Sequence, residues 1–264
     1  MNNTFTLFRI PKLSYRVWKV WKRNKDVFMK TYKTNFIPSL LEPILYLLAL
    51  GVGLGGFVQP IDGQTYINFI APALVAVSMM FSSFYECTYA SFVRMYYQKT
   101  FDAIIATPVT IEEVITGEIL WGATKSLINS SIVLAVIVAF GLVLSPLFLL
   151  IPLVSFLVGL LFSSIAMCFT AIVPNIDAFN YPGYLFITPM FLLSGTFFPL
   201  TSMPEFLQVV AQIFLPLTNA VTVTRSLALG NIQLSIILNL AWMLIVTPIF
   251  FILSLNLMKK RLIK

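Results

Sequence analysis

Three charged side chains sit inside or at the edge of long apolar runs: Glu86, Glu118 and Lys125. A charge within a bilayer is costly unless paired or solvated, so each is a candidate for function. Glu86 lies eight residues before Arg94, and Lys125 seven after Glu118. At about 1.5 Å per residue, both fall about 10–12 Å from the ends of two antiparallel helices. That shared depth allows an intramembrane pair, Glu86 with Lys125, locking the two helices together. It equally allows Lys125 to snorkel to the interface while Glu86 lines a wet cavity. A further carboxylate, Glu42, precedes Pro43 near the start of another apolar run. There a hydrated carboxylate beside a first-turn or kinking proline is expected.

Covalent and acid–base chemistry are not legible. The chain has no histidine, which removes imidazole catalysis and most zinc sites. Cys87 and Cys168 stand singly in apolar runs and read as small buried residues. Paired carboxylates and a serine–histidine–aspartate set are both missing, so no catalytic residue and no metal ligand is assigned. Gly117-Glu-Ile-Leu-Trp-Gly-Ala-Thr-Lys125 looks like a phosphate-binding loop, but two residues separate Gly122 from Lys125. The motif requires the lysine to follow the glycine directly, after a strand. No cofactor is therefore expected in this chain, and any ATP and Mg would be bound by a partner.

The elements that must hold these residues are membrane helices. Of 264 residues, 59% are hydrophobic and 10% charged, with mean hydropathy +0.92, whereas soluble domains carry about 25% charged residues. The fold class is all-α integral membrane. Six spans are expected: 37–58, 66–92, 115–144, 147–173, 184–199 and 232–257, the fifth short for the roughly twenty residues a crossing needs. Lys and Arg concentrate in the first 33 residues and after residue 258, with Arg94 and Lys99 between spans two and three. Both termini and the 94–118 segment should therefore face the cytoplasm. The net charge of +7 sits beside apolar spans, which suits anionic lipid headgroups and membrane lipid as a partner, not nucleic acid. No cleavable leader is expected, since residues 1–36 are basic and hold no apolar core.

Two domains follow: a cytoplasmic N-terminal segment, 1–36, and a transmembrane domain, 37–264. Within the first, 11–33 reads as an amphipathic helix in the headgroup layer, anchored by Trp18 and Trp21. A nucleic-acid-binding arm is the rival reading of this basic stretch. Between spans two and three the chain turns polar while staying helical. Residues 98–106 suit a short amphipathic helix, with Phe101, Ile104 and Ile105 on one side and Lys99, Asp102 and Ala103 around the other. Thr107-Pro108 ends it, and Thr110 with Glu113 forms a capping box for the next helix. Residues 200–231 carry Pro204, Pro216 and Gly230. They read as two half-helices, 205–214 and 220–229, in a re-entrant hairpin, with a flat interfacial loop as the alternative.

Several stretches together resemble a known family. They are Leu41-Glu-Pro-Ile, Phe84-Tyr-Glu-Cys-Thr-Tyr-Ala-Ser-Phe-Val-Arg-Met95, Thr100-Phe-Asp-Ala-Ile-Ile-Ala-Thr-Pro-Val109 with Gly117–Lys125, and Ile187-Thr-Pro-Met-Phe-Leu-Leu-Ser-Gly-Thr-Phe-Phe-Pro199 with Pro216-Leu-Thr. The family is the membrane subunit of type-2 ABC exporters, and within it the nodulation-factor-type lipo-oligosaccharide permeases. The resemblance implies a multi-pass protein of a bacterial plasma membrane (the inner membrane in a Gram-negative cell). It implies a homodimer carrying two cytoplasmic ABC ATPase subunits, which exports an amphipathic or lipid-linked substrate. It makes 98–106 the coupling helix, with Phe101 and Ile105 as an apolar knob in a groove of the ATPase and Lys99 and Asp102 as its polar rim. It places spans one and five along the pathway, with Glu42, Tyr46, Phe186, Phe191, Phe197 and Phe198 as candidate lining residues. Asn219 stands where relatives often carry histidine, so no protonation role transfers to the hairpin. An ion-driven secondary carrier is the alternative function, and it would need titratable groups at mid-membrane that the sequence scarcely offers.

Overall fold

The computed structural model describes residues 13–61 and 63–263, and every regular element among them is helical apart from one isolated bridge, Ile61 with Gln64. Helix α1 (Val17–Tyr46) continues into π-helical turns at Leu47–Leu54. Helix α2 (Tyr66–Tyr85) continues through π turns at Glu86–Ala90 and Val93–Tyr97, followed by the short α3 (Thr100–Ile105) and the long α4 (Ile111–Ala139). Then come α5 (Ile151–Ile172), the broken stretch α6 (Asn180–Pro182) to α7 (Thr188–Leu193), α8 (Glu205–Phe214), α9 (Pro216–Leu229) and α10 (Leu234–Leu262).

Four of these are long and apolar enough to cross a membrane: Tyr66–Tyr97, Ile111–Ala139, Pro146–Ile172 and Leu234–Leu262. The bent pair α8–α9 makes a fifth if counted as one span. Two expected spans fall short. The apolar part of the first, Ser39–Leu54, is below crossing length, and it is the upper end of one helix that begins at Val17, so the expected domain boundary at 36/37 lies inside an element. The fifth stays helical only to Leu193. Gly195, at φ 71°, turns the chain there, in the left-handed region glycine tolerates.

Local chemistry sets the other ends. Apolar sequence runs on to Leu144, but α4 stops at Ala139 because Gly141 adopts φ 69°. Helix α9 begins at Pro216, four residues earlier than expected, since proline fits the first helical turn. It ends at Gly230, φ 82°. Its angle to α8 is 91°, broken at Leu215. The capping box is formed: the Glu113 N–H donates to Thr110 Oγ1, and the Thr110 N–H donates to Glu113 Oε2 at 2.8 Å.

Helix α2 is buried nearly all round and α4 is the hub, packing on α1, α2 and α5. Small residues permit the close approach. A Cβ on Gly117 would lie 2.6 Å from the Val20 side chain of α1, and one on Gly159 of α5 2.8 Å from the Ala123 backbone of α4. By contrast α10 leaves Leu234, Ile237, Leu238, Leu244 and Ile245 exposed, the outward face of a peripheral helix.

Candidate functional site

Glu86 and Lys125 meet: Lys125 Nζ lies 2.9 Å from Glu86 Oε2. They do not meet alone. Arg94 reaches Glu86 Oε1 through Nη1 at 2.8 Å and Glu118 Oε2 through Nε at 2.9 Å and Nη2 at 2.5 Å. Ser91 Oγ donates to Glu118 Oε2 at 2.7 Å, and Asn24 Nδ2 donates to Glu118 Oε1 at 2.8 Å. Two carboxylates and two cations thus form a neutral, largely buried cluster across α1, α2 and α4, its oxygens satisfied by polar partners. Burial of ions is tolerable only with such pairing. The π turns on either side of Ser91 and Phe92 re-aim successive side chains of α2, placing Glu86 and Arg94 on one side of the helix.

Glu118 is among the three charges that the sequence singles out, but its partners Arg94 and Asn24 are not. Asn24 did carry a signal: it falls on the apolar stripe of Val17, Val20 and Trp21, among lysines, and is 3% exposed.

Directly after the cluster comes α3. The expected helix 98–106 is shorter, Thr100–Ile105, because Lys99 takes a left-handed conformation (φ 52°) between the last π turn and α3. Its expected knob is corrected. Phe101 is fully buried in the core of its own chain, and Ile104 and Ile105 pack partly against that core. An isolated six-residue helix cannot sustain itself in water, so its apolar stripe anchors it inward. Lys99, Asp102, Ala103 and Ala106 face outward, with Tyr96, Tyr97 and Gln98 beside them. Lys99 and Asp102 stand 4.0 Å apart, both well exposed.

The N-terminal helix grips this short helix from one side. Arg23 Nη2 reaches Thr100 Oγ1 at 3.4 Å, Arg16 Nη1 donates to the Pro108 carbonyl, and Ser14 Oγ donates to Glu113. From the other side Lys259 of α10 pairs with Glu112 at 2.5 Å, and Arg261 donates to the Thr170 and Val173 carbonyls. The segment from α3 to the start of α4 is therefore a lever-shaped strut tied to both α1 and α10.

A cleft of about 850 Å³ runs along α1, α2 and α4, with Arg94, Lys125 and Gln98 at one end and Tyr46, Leu74 and Val133 toward the other. Glu42 and Tyr46 line it. The expected phenylalanines do not. Phe191 packs at 5.6 Å on Phe81, which does line the cleft, and Phe197 lies edge-on to Phe191 at 4.9 Å. Phe186 packs on Phe169, and Phe198 is 40% exposed away from the lining. The break at Ser194-Gly195 separates Phe197 and Phe198 from the helical stretch that carries Phe186 and Phe191. Lining residues that sequence reading missed are Ser78, Ser82, Tyr85 and Tyr89. Their spacing of four, three and four marks one polar face of an apolar helix.

Cys87 and Cys168 are buried and unpaired, and among the described residues no group of three or more metal-ligating side chains gathers.

The sequence profile described as "ABC-2 type transporter" matches residues 15–229. "Nodulation protein J" of Rhizobium meliloti (strain 1021) is 38% identical over 255 residues, covering 96% of each chain. The protein of that name from Sinorhizobium fredii (strain NBRC 101917 / NGR234) is 33% identical over 92% of this chain and 93% of its own. "Inner membrane transport permease YadH" of Escherichia coli (strain K12) is 23% identical over 72% of this chain and 73% of its own. No solved structure matches.

Proposed function

The chain belongs to the ABC-2 type transporter family, as a multi-pass permease of a bacterial inner membrane, and we propose that it is the membrane half of an ATP-driven exporter of amphipathic or lipid-linked molecules. The observation that carries this reading is the lever. Helix α3 presents a polar outer face, is anchored inward by Phe101, and joins directly to the ion cluster at the foot of the cleft. No phosphate-binding loop is legible in the sequence, so energy arrives by contact from separate ATPase subunits, and α3 is where they dock. Lys99, Asp102, Ala103 and Ala106 make the contact, in place of the knob of Phe101 and Ile105. Two copies of the chain and two ATPases form the working unit.

The lengths of α2 and α4 support the placement. Tyr66–Tyr97 and Ile111–Ala139 are 32 and 29 residues, or about 43–48 Å, against a hydrocarbon core of about 30 Å. Both overhang by about four helical turns' worth of charged and polar sequence or less, and α3 joins the overhanging ends. That end is cytoplasmic by the Lys/Arg distribution. The shorter Ser39–Leu54 segment and the stretch 180–193 complete six passes, with the bent α8–α9 pair as a re-entrant hairpin on the outer side. The cleft, with hydroxyls and aromatic rings along an otherwise apolar wall, suits a substrate bearing both a chain and polar groups, such as a lipid-linked glycan.

Ala103→Glu and Ala106→Glu test the docking. Both residues are exposed, so the permease should insert and fold normally. Association with its ATPase subunit should fall by more than about thirtyfold, the effect of burying an unpaired charge worth 2 kcal/mol or more. Undiminished co-purification of ATPase with the double variant would defeat the assignment.

A further inference from the structure

Helix α1 has two opposed faces. Val17, Val20 and Asn24 are buried against α4. Lys19, Lys22, Lys25, Lys30 and Lys33 are all exposed, and at about 100° per residue they fall within an arc of about 140° on the opposite side. The sole acidic residue along this stretch is Asp26. Exposed Trp18, Met29 and Tyr32 flank the lysines. The helix continues directly into the apolar Ser39–Leu54 segment, and Lys33 precedes Ser39 by only about 9 Å of helix.

We propose that this lysine face is a docking surface for anionic lipid headgroups, and that their binding straps the lever in its working position. Five cations beside apolar and aromatic side chains match a layer that is anionic outside and apolar beneath, a chemistry that attracts each basic residue by about 1 kcal/mol near the surface. A water-facing protein contact would not call for the exposed apolar flank.

The strap is already built. The same helix and the turn that leads into it hold the lever at each of its joints: Arg23 at Thr100 within α3, Arg16 at Pro108 after it, Ser14 at the capping residue Glu113, and Asn24 at Glu118 in the ion cluster. Headgroups that fix the outer face of α1 therefore fix the lever through its inner face. The coupling role of the lever rests on the function proposed above; the lipid contact does not.

Amide exchange tests it on the permease alone, in phosphatidylcholine bilayers with and without about one third phosphatidylglycerol. Exchange across residues 17–33 and 99–107 should slow by about fivefold or more when the anionic lipid is present, the equivalent of about 1 kcal/mol. Replacing the five lysines by glutamine should erase the difference, and replacing them by arginine should keep it. Dissolved glycerol phosphate should not reproduce it.

Equal exchange in the two bilayers, or persistence of the effect in the glutamine variant, would overturn the proposal. So would the same protection from dissolved glycerol phosphate. Slowing confined to 17–33 would refute the strap. In detergent without anionic lipid, the glutamine variant should still bind the ATPase like the parent, and loss of that binding would make the face a protein contact instead. Failure of the parent itself to bind any ATPase would count against the function proposed above, not against the lipid contact.

Discussion

Arg94 is shared between two buried carboxylates, Glu86 and Glu118, and this sharing changes what mutations should do. Arg94→Met strips a partner from both at once and should cost about 3–5 kcal/mol, the range for breaking a buried pair from one side. Glu118→Gln should cost less, because the amide oxygen still accepts from Asn24 or Ser91. The double variant should be less damaged than the sum, and thermal unfolding in detergent measures all three. A simple two-residue pair would predict that Glu86→Lys with Lys125→Glu restores stability. With Arg94 at 2.8 Å from Glu86, the swap sets two cations against each other, and little recovery is expected. Depth along two helices is readable from residue spacing, which is why a Glu86–Lys125 contact is one of the two readings the sequence allows. The bridging position of Arg94 is not readable, since π turns rotate α2 away from the 100° per residue on which spacing arguments rest.

At the scale of elements, the capping box and the long helices were legible, because hydrophobic runs and cap residues are local signals. Thr110→Ala should lower stability by about 1 kcal/mol, readable as a lower melting temperature of the purified permease. The direction in which α3 faces was not legible. An amphipathic stripe of Phe101, Ile104 and Ile105 reads the same whether it greets a partner or its own core, and only the tertiary neighbours decide. The full burial of Phe101 predicts that Phe101→Ala loosens the lever itself, raising amide exchange across 99–107. Gly117→Leu should separate α1 from α4, since even a Cβ there meets Val20 at 2.6 Å. Its signature should be lost protection in 17–28 while α5 is unaffected. The fifth span ends earlier than expected for a related reason: apolar composition counts residues but does not see a left-handed glycine at 195.

For the whole molecule, composition alone identified a membrane protein, and the matched motifs its family, because lipid exposure and recurring short sequences both survive without tertiary detail. The proposed arrangement across the membrane rests on Lys/Arg placement and is testable with the two native cysteines left in place, as both are buried. Cysteines at Thr65 and Ser202, both exposed, should react with an impermeant reagent added outside intact cells, and one at Lys99 only after lysis. Energy is proposed to enter through the outer face of α3, and a photo-crosslinking side chain placed at Ala103 in the assembled complex reports whether it does. Ala103 should crosslink to the ATPase, and a control probe at Thr65 should not. An Ala103 probe that captures only lipid or water while the complex remains active, or ATPase captured from Thr65, would contradict it.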